Sequence, residues 1–330
     1  MKINLSAKKV CWPLKTAFIT SQDNLLNIEV IHVEIDVDGV TGRGEALGVD
    51  YHGETVESIL ADIESVRSVF EEVVDFVSLR TQLLQTLPAG GARNALDCAV
   101  WDLEAKSTGQ RVWALLKMPA KPVDTMITLS LDTPAAMAEQ AHAETQFSVL
   151  KLKVDAGDPI TCIESVRIAR PDCKLVVDAN SDWNIEQLQA WAPECKRLDV
   201  SMIEQPLPAD ADEVLADMQF DVPLCADESL QDSAQFDYVA ARYQVVNIKL
   251  DKTGGLTEAV RLLKIARLAG KDVFVGNMLG SSLAMAPAFV IAQYSQWVDL
   301  DGPLLQAEDV QPAIQYQGSS MSVPDRQLWG

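Results

Sequence analysis

Basic residues are scarce in this chain of 330 residues: 27 lysines and arginines stand against 48 aspartates and glutamates, a formal charge of -21. A surface so acidic repels phosphate backbones and anionic lipid, which argues against nucleic acid or a membrane surface as partner. Long apolar runs are missing as well. Met1 to Lys15 holds nothing of the kind a signal peptide needs, and the most apolar run, Leu283 to Ala292, is short and broken by Pro287, so a soluble cytoplasmic protein is expected. The six cysteines (Cys11, Cys98, Cys162, Cys173, Cys195, Cys225) form no CxxC pair and suit reduced, inert thiols in a chain of this size. What the chain does have is 48% hydrophobic composition, enough for a large core spread over about two domains.

From Ile28 to Val40 apolar and polar residues alternate up to the turn signal Asp38-Gly39, which predicts a strand and then a second one around Gly42 to Ala46. Glu54 to Phe76, Leu79 to Leu87 and Ala92 to Ser107 carry helical spacing, the last two separated by Pro88 to Gly91. Strands followed by helices predict a compact α+β unit. Beyond residue 122 short apolar strands alternate with helix-like segments: Met126 to Leu131, Ser148 to Val154, Lys174 to Asn180, Ser201 to Gln205, Pro223 to Glu228, Val245 to Leu250, Asp272 to Asn277 and Trp297 to Asp301. Eight such units in succession predict a closed parallel barrel over an open sheet, with the tail from Leu304 folding back on the first unit.

Nearly every one of these strands ends in a charge: Lys151 and Lys153, Asp178, Glu204, Asp227, Lys249, then Asp299 and Asp301. Any one alone would be read as a solvated strand end. Together they return to the same rim, where barrel active sites form. Asp178, Glu204 and Asp227 follow apolar runs, and three carboxylates brought together repel unless a divalent cation joins them; oxygen ligands select Mg²⁺ or Mn²⁺. Lys151 and Lys153 alternate with Leu150, Leu152 and Val154, so both point into the barrel, and Lys249 lies four strands round from Lys153. Two amines flanking one carbon beside a cation suit removal and return of a proton next to a carboxylate, and neighbouring cations should lower the pKa of either base.

With these residues in hand the chain resembles the enolase superfamily, its muconate lactonizing enzyme subgroup, and within that the dipeptide epimerases, especially L-Ala-D/L-Glu epimerases. The matching stretches are Ala92 to Asp102, Leu150 to Val154, Val177 to Asn180, Ile203 to Pro206, Ala226 to Ser229, Asn247 to Gly255 and Asp299 to Asp301. The resemblance implies an α/β fold, a (β/α)7β barrel (122–303) under an α+β capping domain (1–121), with 304–330 returning to the cap. It also implies Mg²⁺ on Asp178, Glu204 and Asp227, Lys153 and Lys249 as the acid and base, Lys151 on the substrate carboxylate, and Asn180 and Glu228 as supports. In these relatives the pair matching Asp299 and Asp301 grips the ammonium of a dipeptide. An arginine that selects acidic side chains there is matched here by Leu25, so the side-chain preference stays open, as does homo-oligomer formation.

Other readings carry less of the pattern. Sugar-acid dehydratases of the superfamily need a late-strand histidine, and the only histidines are His32, His52 and His142. A cycloisomerase or o-succinylbenzoate synthase would keep the lysines and carboxylates without needing Asp299 and Asp301. A Schiff-base aldolase would use Lys249 but no triple carboxylate, and a metal-binding paralogue without activity would have little need of both lysines.

Overall fold

The computed structural model describes residues 3–70 and 75–330. The chain opens with an antiparallel sheet in the order β1 (Ile3–Ile19), β2 (Asn24–Val37), β3 (Val40–Ala46). The β2–β3 hairpin turns at Asp38 and Gly39 with φ of 51° and 84°, the two positive values that match the twist of paired strands. β1 is absent from the sequence reading, because its lysines and Pro13 blur the alternation. Its presence places Leu25 inside β2, paired with Phe18.

Three helices follow: α1 (Val56–Ser65), α2 (Phe76–Thr86) and α3 (Gly91–Thr108). The helix expected from Glu54 to Phe76 therefore ends at Ser65. Arg67 turns back there, its guanidinium donating to Glu64 and to the Leu5 carbonyl, and a short 3-10 turn runs Arg67–Phe70; the rest of the expected span, 71–74, lies outside the described residues. α3 is buried along most of its length. Gly42 and Gly44 let the β3 backbone touch it directly, since a Cβ on Gly44 would stand 2.1 Å from the Ala95 carbonyl oxygen. Gly44→Ala is expected to cost at least about 1–3 kcal/mol, a fall of several degrees in the thermal midpoint. An unchanged melting curve would show that the strand and helix have slack.

All eight expected barrel strands are present, seven shorter than their apolar runs and the fourth shifted by one residue: Ile127–Leu129, Val149–Lys153, Lys174–Asp178, Val200–Glu204, Leu224–Ala226, Val245–Ile248, Asp272–Val275 and Trp297–Val298. They pair in parallel in chain order, and Met126 N donates to the Val298 carbonyl at 2.9 Å, joining last to first. Met126, Val176, Met202, Cys225, Val245 and Phe274 cluster as an apolar plug inside, while a larger apolar layer joins the strands to the surrounding helices. In the tail, Ser320–Met321 pairs with Val123–Asp124, and Gly330 N and Trp329 Nε1 donate to Asp102 and to the Cys98 carbonyl on α3. Five cysteines are buried and Cys11 is exposed, all unpaired with one another. Among the described residues no helix is long and apolar enough to cross a membrane.

The sheet and α3 are seated on the barrel mouth by buried polar contacts. Arg93 donates to the carbonyls of Thr253 and Gly254, Asp97 accepts from Thr257, and Asp251 accepts from the backbone of Leu47 and Gly48. The loop carrying Lys249 is thereby held against the cap.

Candidate active site

Register brings the charged strand ends into one layer. Lys153 pairs with Asp178 and Asp178 with Glu204 along the sheet, while Lys151 sits one step deeper, between Thr128 and Val176. Period two sends these side chains inward, where all are buried.

The amines and carboxylates interlock there. Lys151 Nζ lies 3.1 Å from Asp178, 2.9 Å from Glu204 and 3.1 Å from Asp299. Lys153 Nζ donates to Asp178 at 2.8 Å and to Asn180 Oδ1 at 2.9 Å. Lys249 Nζ lies 2.6 Å from Asp227 Oδ2. Lys153 and Lys249 thus meet the acidic cluster through different carboxylates, from strands four apart.

Among the described residues no three acidic, histidine or cysteine side chains form a ready-made cation cage, because the Lys151 ammonium stands between Asp178 and Glu204. The donor set nonetheless fits an oxygen-seeking cation. Glu204 Oε2, Asp227 Oδ2 and Glu228 Oε2 are buried without a hydrogen bond, the first two having only an ammonium in ion-pair range. Burial, reinforced by Asp178, pushes the Glu204 carboxyl up to about 8, and burial with Asp227 pushes Glu228 up to about 7. Burial acts on Asp178 in the same sense, yet Lys153 and Lys151 hold it down at about 2. Glu204 and Glu228 are thus the carboxylates short of positive charge, whereas Asp178 and Asp227 are held down by their lysines.

The chain's own groups act on Lys249 in the sense opposite to the lowering expected from neighbouring cations. Burial, the largest single influence, favours the neutral amine of Lys249, but the Asp227 carboxylate in contact together with Glu204 and Glu228 outweighs burial and the repulsion from Lys151, and the pKa is raised.

Asp299 and Asp301 sit beside this cluster, both buried, and each already has partners. Asp299 faces Lys151, and Asp301 accepts from the Thr128 backbone at 2.7 Å and, more distantly, from Asn277. Burial and the Asp299 charge push Asp301 up to about 7. Thr128 also borders a cavity of about 880 Å³ between the end of β1 and the first barrel strand, lined by Phe18, Ile19, Leu131, Leu305 and Tyr316 among others. The Phe18 ring lies 6.0 Å from Lys153 Nζ, and Met278 Sδ lies 3.6 Å from Lys249 Nζ. Leu25 belongs to an apolar cluster with Phe18, Trp12, Leu47 and Leu279.

Asn180 bridges the two halves, accepting from Lys153 and donating to Glu228 at 3.3 Å. Several residues escaped the sequence reading. Lys252, fully buried, donates to the Asp227 carboxylate and to the carbonyls of Asp227 and Asn247. Asn247 donates to Glu204 at 2.7 Å. The available signal was a lone amide inside the otherwise apolar strand Val245–Ile248, and a second lysine one helical turn after Lys249.

Comparison with known proteins identifies the family of the chain. Residues 2–117 match the N-terminal domain model of mandelate racemase / muconate lactonizing enzyme, and residues 134–327 match the enolase C-terminal domain-like model. N-acetyl-D-glutamate racemase of Pseudoalteromonas sp. is 46% identical over 250 residues, 76% of this chain and 79% of the relative. L-Ala-D/L-Glu epimerase of Escherichia coli K12 is 39% identical over 308 residues, 92% and 95% of the two chains. An Agrobacterium tumefaciens enolase family member with homology to dipeptide epimerases, solved with sodium and L-Ala-L-Glu, superposes with a TM-score of 0.95 at 38% identity over the whole of both chains. With both portions of the chain matched and relatives aligned over most of their length, the chain belongs to the mandelate racemase / muconate lactonizing enzyme family of the enolase superfamily.

Proposed function

We propose that this chain is a two-base epimerase of dipeptides, acting at the α-carbon of the C-terminal residue. The observation that carries the reading is the pair of buried amines, Lys153 and Lys249, on strands four apart and set against one carboxylate cluster. Asp178, Glu204 and Asp227 would hold Mg²⁺, or Mn²⁺ in its place, with Asn180 and Glu228 supporting them. When bound, such an ion stabilises the charge that builds on the substrate carboxylate as its α-proton leaves. One lysine Nζ takes that proton and the other delivers one to the opposite face, inverting the centre. Lys151 holds the substrate carboxylate, and the Asp299/Asp301 pair receives the substrate ammonium. Residues 1–121 serve as the cap, 122–303 as the catalytic barrel, and 304–330 as the return to the cap.

A second reading takes an N-acylated amino acid through the same proton transfer. It is favoured by the engagement of Asp299 with Lys151 and of Asp301 with Thr128, which leaves little free negative charge for an ammonium, and by the racemase relative. The cavity beside Thr128 offers room for either N-terminal group. Leu25 and its apolar neighbours offer no cation to an acidic side chain.

The test is incubation in D₂O with Mg²⁺ of L-Ala-L-Glu, L-Ala-L-Leu, L-Ala-L-Lys and N-acetyl-L-Glu, read by mass spectrometry. Deuterium should enter the α-carbon of the dipeptides' second residue. Exchange confined to N-acetyl-Glu would replace the first reading with the second, and exchange in none would remove both.

A further inference from the structure

Gln205 follows Glu204 directly and is completely buried, in the left-handed region at φ 31°, a conformation that costs about 1–3 kcal/mol for a side chain of this kind. Its backbone links the neighbouring rim turns: Ser181 N donates to the Gln205 carbonyl at 2.8 Å, and Gln205 N donates to the Cys225 carbonyl at 2.9 Å. Its side chain does more. Oε1 accepts from Asp227 N at 2.9 Å and from Ser229 N at 3.1 Å, the two ends of the turn that presents Asp227 and Glu228. Nε2 donates to the Leu207 carbonyl, to Ser229 Oγ at 2.8 Å and to Tyr243 Oη at 3.2 Å.

What keeps the amide in that orientation lies further out. Ser229 Oγ and Tyr243 Oη both donate to Asp212 Oδ2, at 2.7 and 2.9 Å, and Tyr238 Oη donates to Asp212 Oδ1 at 2.9 Å. A hydroxyl whose proton is spent on Asp212 can only accept from its other neighbour, so Ser229 and Tyr243 require an N–H from Gln205. That turns Oε1, and not Nε2, toward the backbone of Asp227. The hydrogen-bond direction therefore runs without a break from Asp212 to the turn that carries two of the acidic side chains, and Asp212, Ser229, Tyr243 and Gln205 are all buried and satisfied.

We infer that Gln205 is the positioning residue for the Asp227–Glu228 turn and that Asp212 acts through it, so that cation affinity depends on a carboxylate linked to the turn through Ser229, Tyr243 and Gln205. The inference rests on the metal reading of Asp178, Glu204 and Asp227.

Mn²⁺ binding to the metal-free full chain, followed by the spin resonance of free Mn²⁺, tests it together with thermal midpoints. Gln205→Ala is expected to raise the Kd for Mn²⁺ about 10–100-fold, the usual scale for outer partners of metal ligands. Asp212→Asn, which can offer an N–H to the hydroxyls and reverse the chain, is expected to weaken binding less, and to add nothing once Gln205 is alanine. A folded Gln205→Ala protein with wild-type affinity overturns the inference, as does an Asp212→Asn effect of equal size with and without Gln205. Should Gln205→Ala not fold, Asp212→Asn and Tyr243→Phe carry the test, and wild-type affinity in both overturns it. Wild-type protein that binds no Mn²⁺ removes the metal reading and this inference together, whereas wild-type binding with unaffected variants removes only the role of Gln205.

Discussion

Replacing Lys153 or Lys249 with alanine is expected to abolish epimerisation while leaving half of the exchange chemistry intact. Each lysine faces one side of the α-carbon in the proposed arrangement, so each epimer surrenders its proton to a different amine. In Lys153→Ala the epimer whose proton faces Lys249 can still lose it and regain deuterium from the same amine, without inversion. Lys249→Ala should show the mirror outcome, exchange of the other epimer alone. The loss of inversion should reach at least about 10²–10⁴-fold, the contribution of a positioned acid or base. Chiral chromatography measures inversion, and mass spectrometry in D₂O measures exchange. Full epimerase activity in either variant refutes the two-base mechanism, and so does retention of the same epimer's exchange in both. The fold should tolerate the changes, because each lysine leaves behind a carboxylate with a second cation: Asp178 keeps Lys151, and Asp227 keeps Lys252.

That compensation also marks where sequence reading reaches its limit. Charges at the ends of apolar runs were legible because strand alternation and the spacing of βα units dictate which residues meet at a barrel rim. Lys153, Asp178, Glu204, Asp227 and Lys249 meet there in the structure. Lys252 was not legible, because its partner Asp227 lies on another strand and only the closed sheet brings the two together. Gln205 was hidden for a different reason: an amide declares its role only through the direction of its hydrogen bonds, which depend on Ser229, Tyr243 and Asp212. β1 was obscured by its lysines and proline, and with it the location of Leu25 in a paired strand. The partners of Asp299 and Asp301 likewise depend on barrel closure, since Thr128 stands on the first strand and the acids follow the last.

Glu204→Gln is expected to separate cation binding from folding. Glu204 is wholly buried, accepts from Asn247 through Oε1, and points its other oxygen at Lys151 without a hydrogen bond. A glutamine of the same shape keeps the Asn247 contact through its own oxygen and matches the neutral carboxyl that burial and Asp178 favour, while Lys151 retains Asp178 and Asp299. The metal-free variant should therefore melt within a few degrees of wild type, because burial and Asp178 already favour the neutral form of Glu204 and little ion-pair energy is lost. The cation should make the difference. A ligand that binds only the folded state at 100 times its Kd adds about 2.7 kcal/mol, so wild-type protein should gain several degrees on addition of excess Mg²⁺. Glu204→Gln should gain almost none, and its epimerase activity should fall with it. If the variant keeps the full Mg²⁺-dependent rise, Glu204 is no ligand, and the buried acids are better understood as counter-charges for Lys151, Lys153, Lys249 and Lys252 than as a cation site.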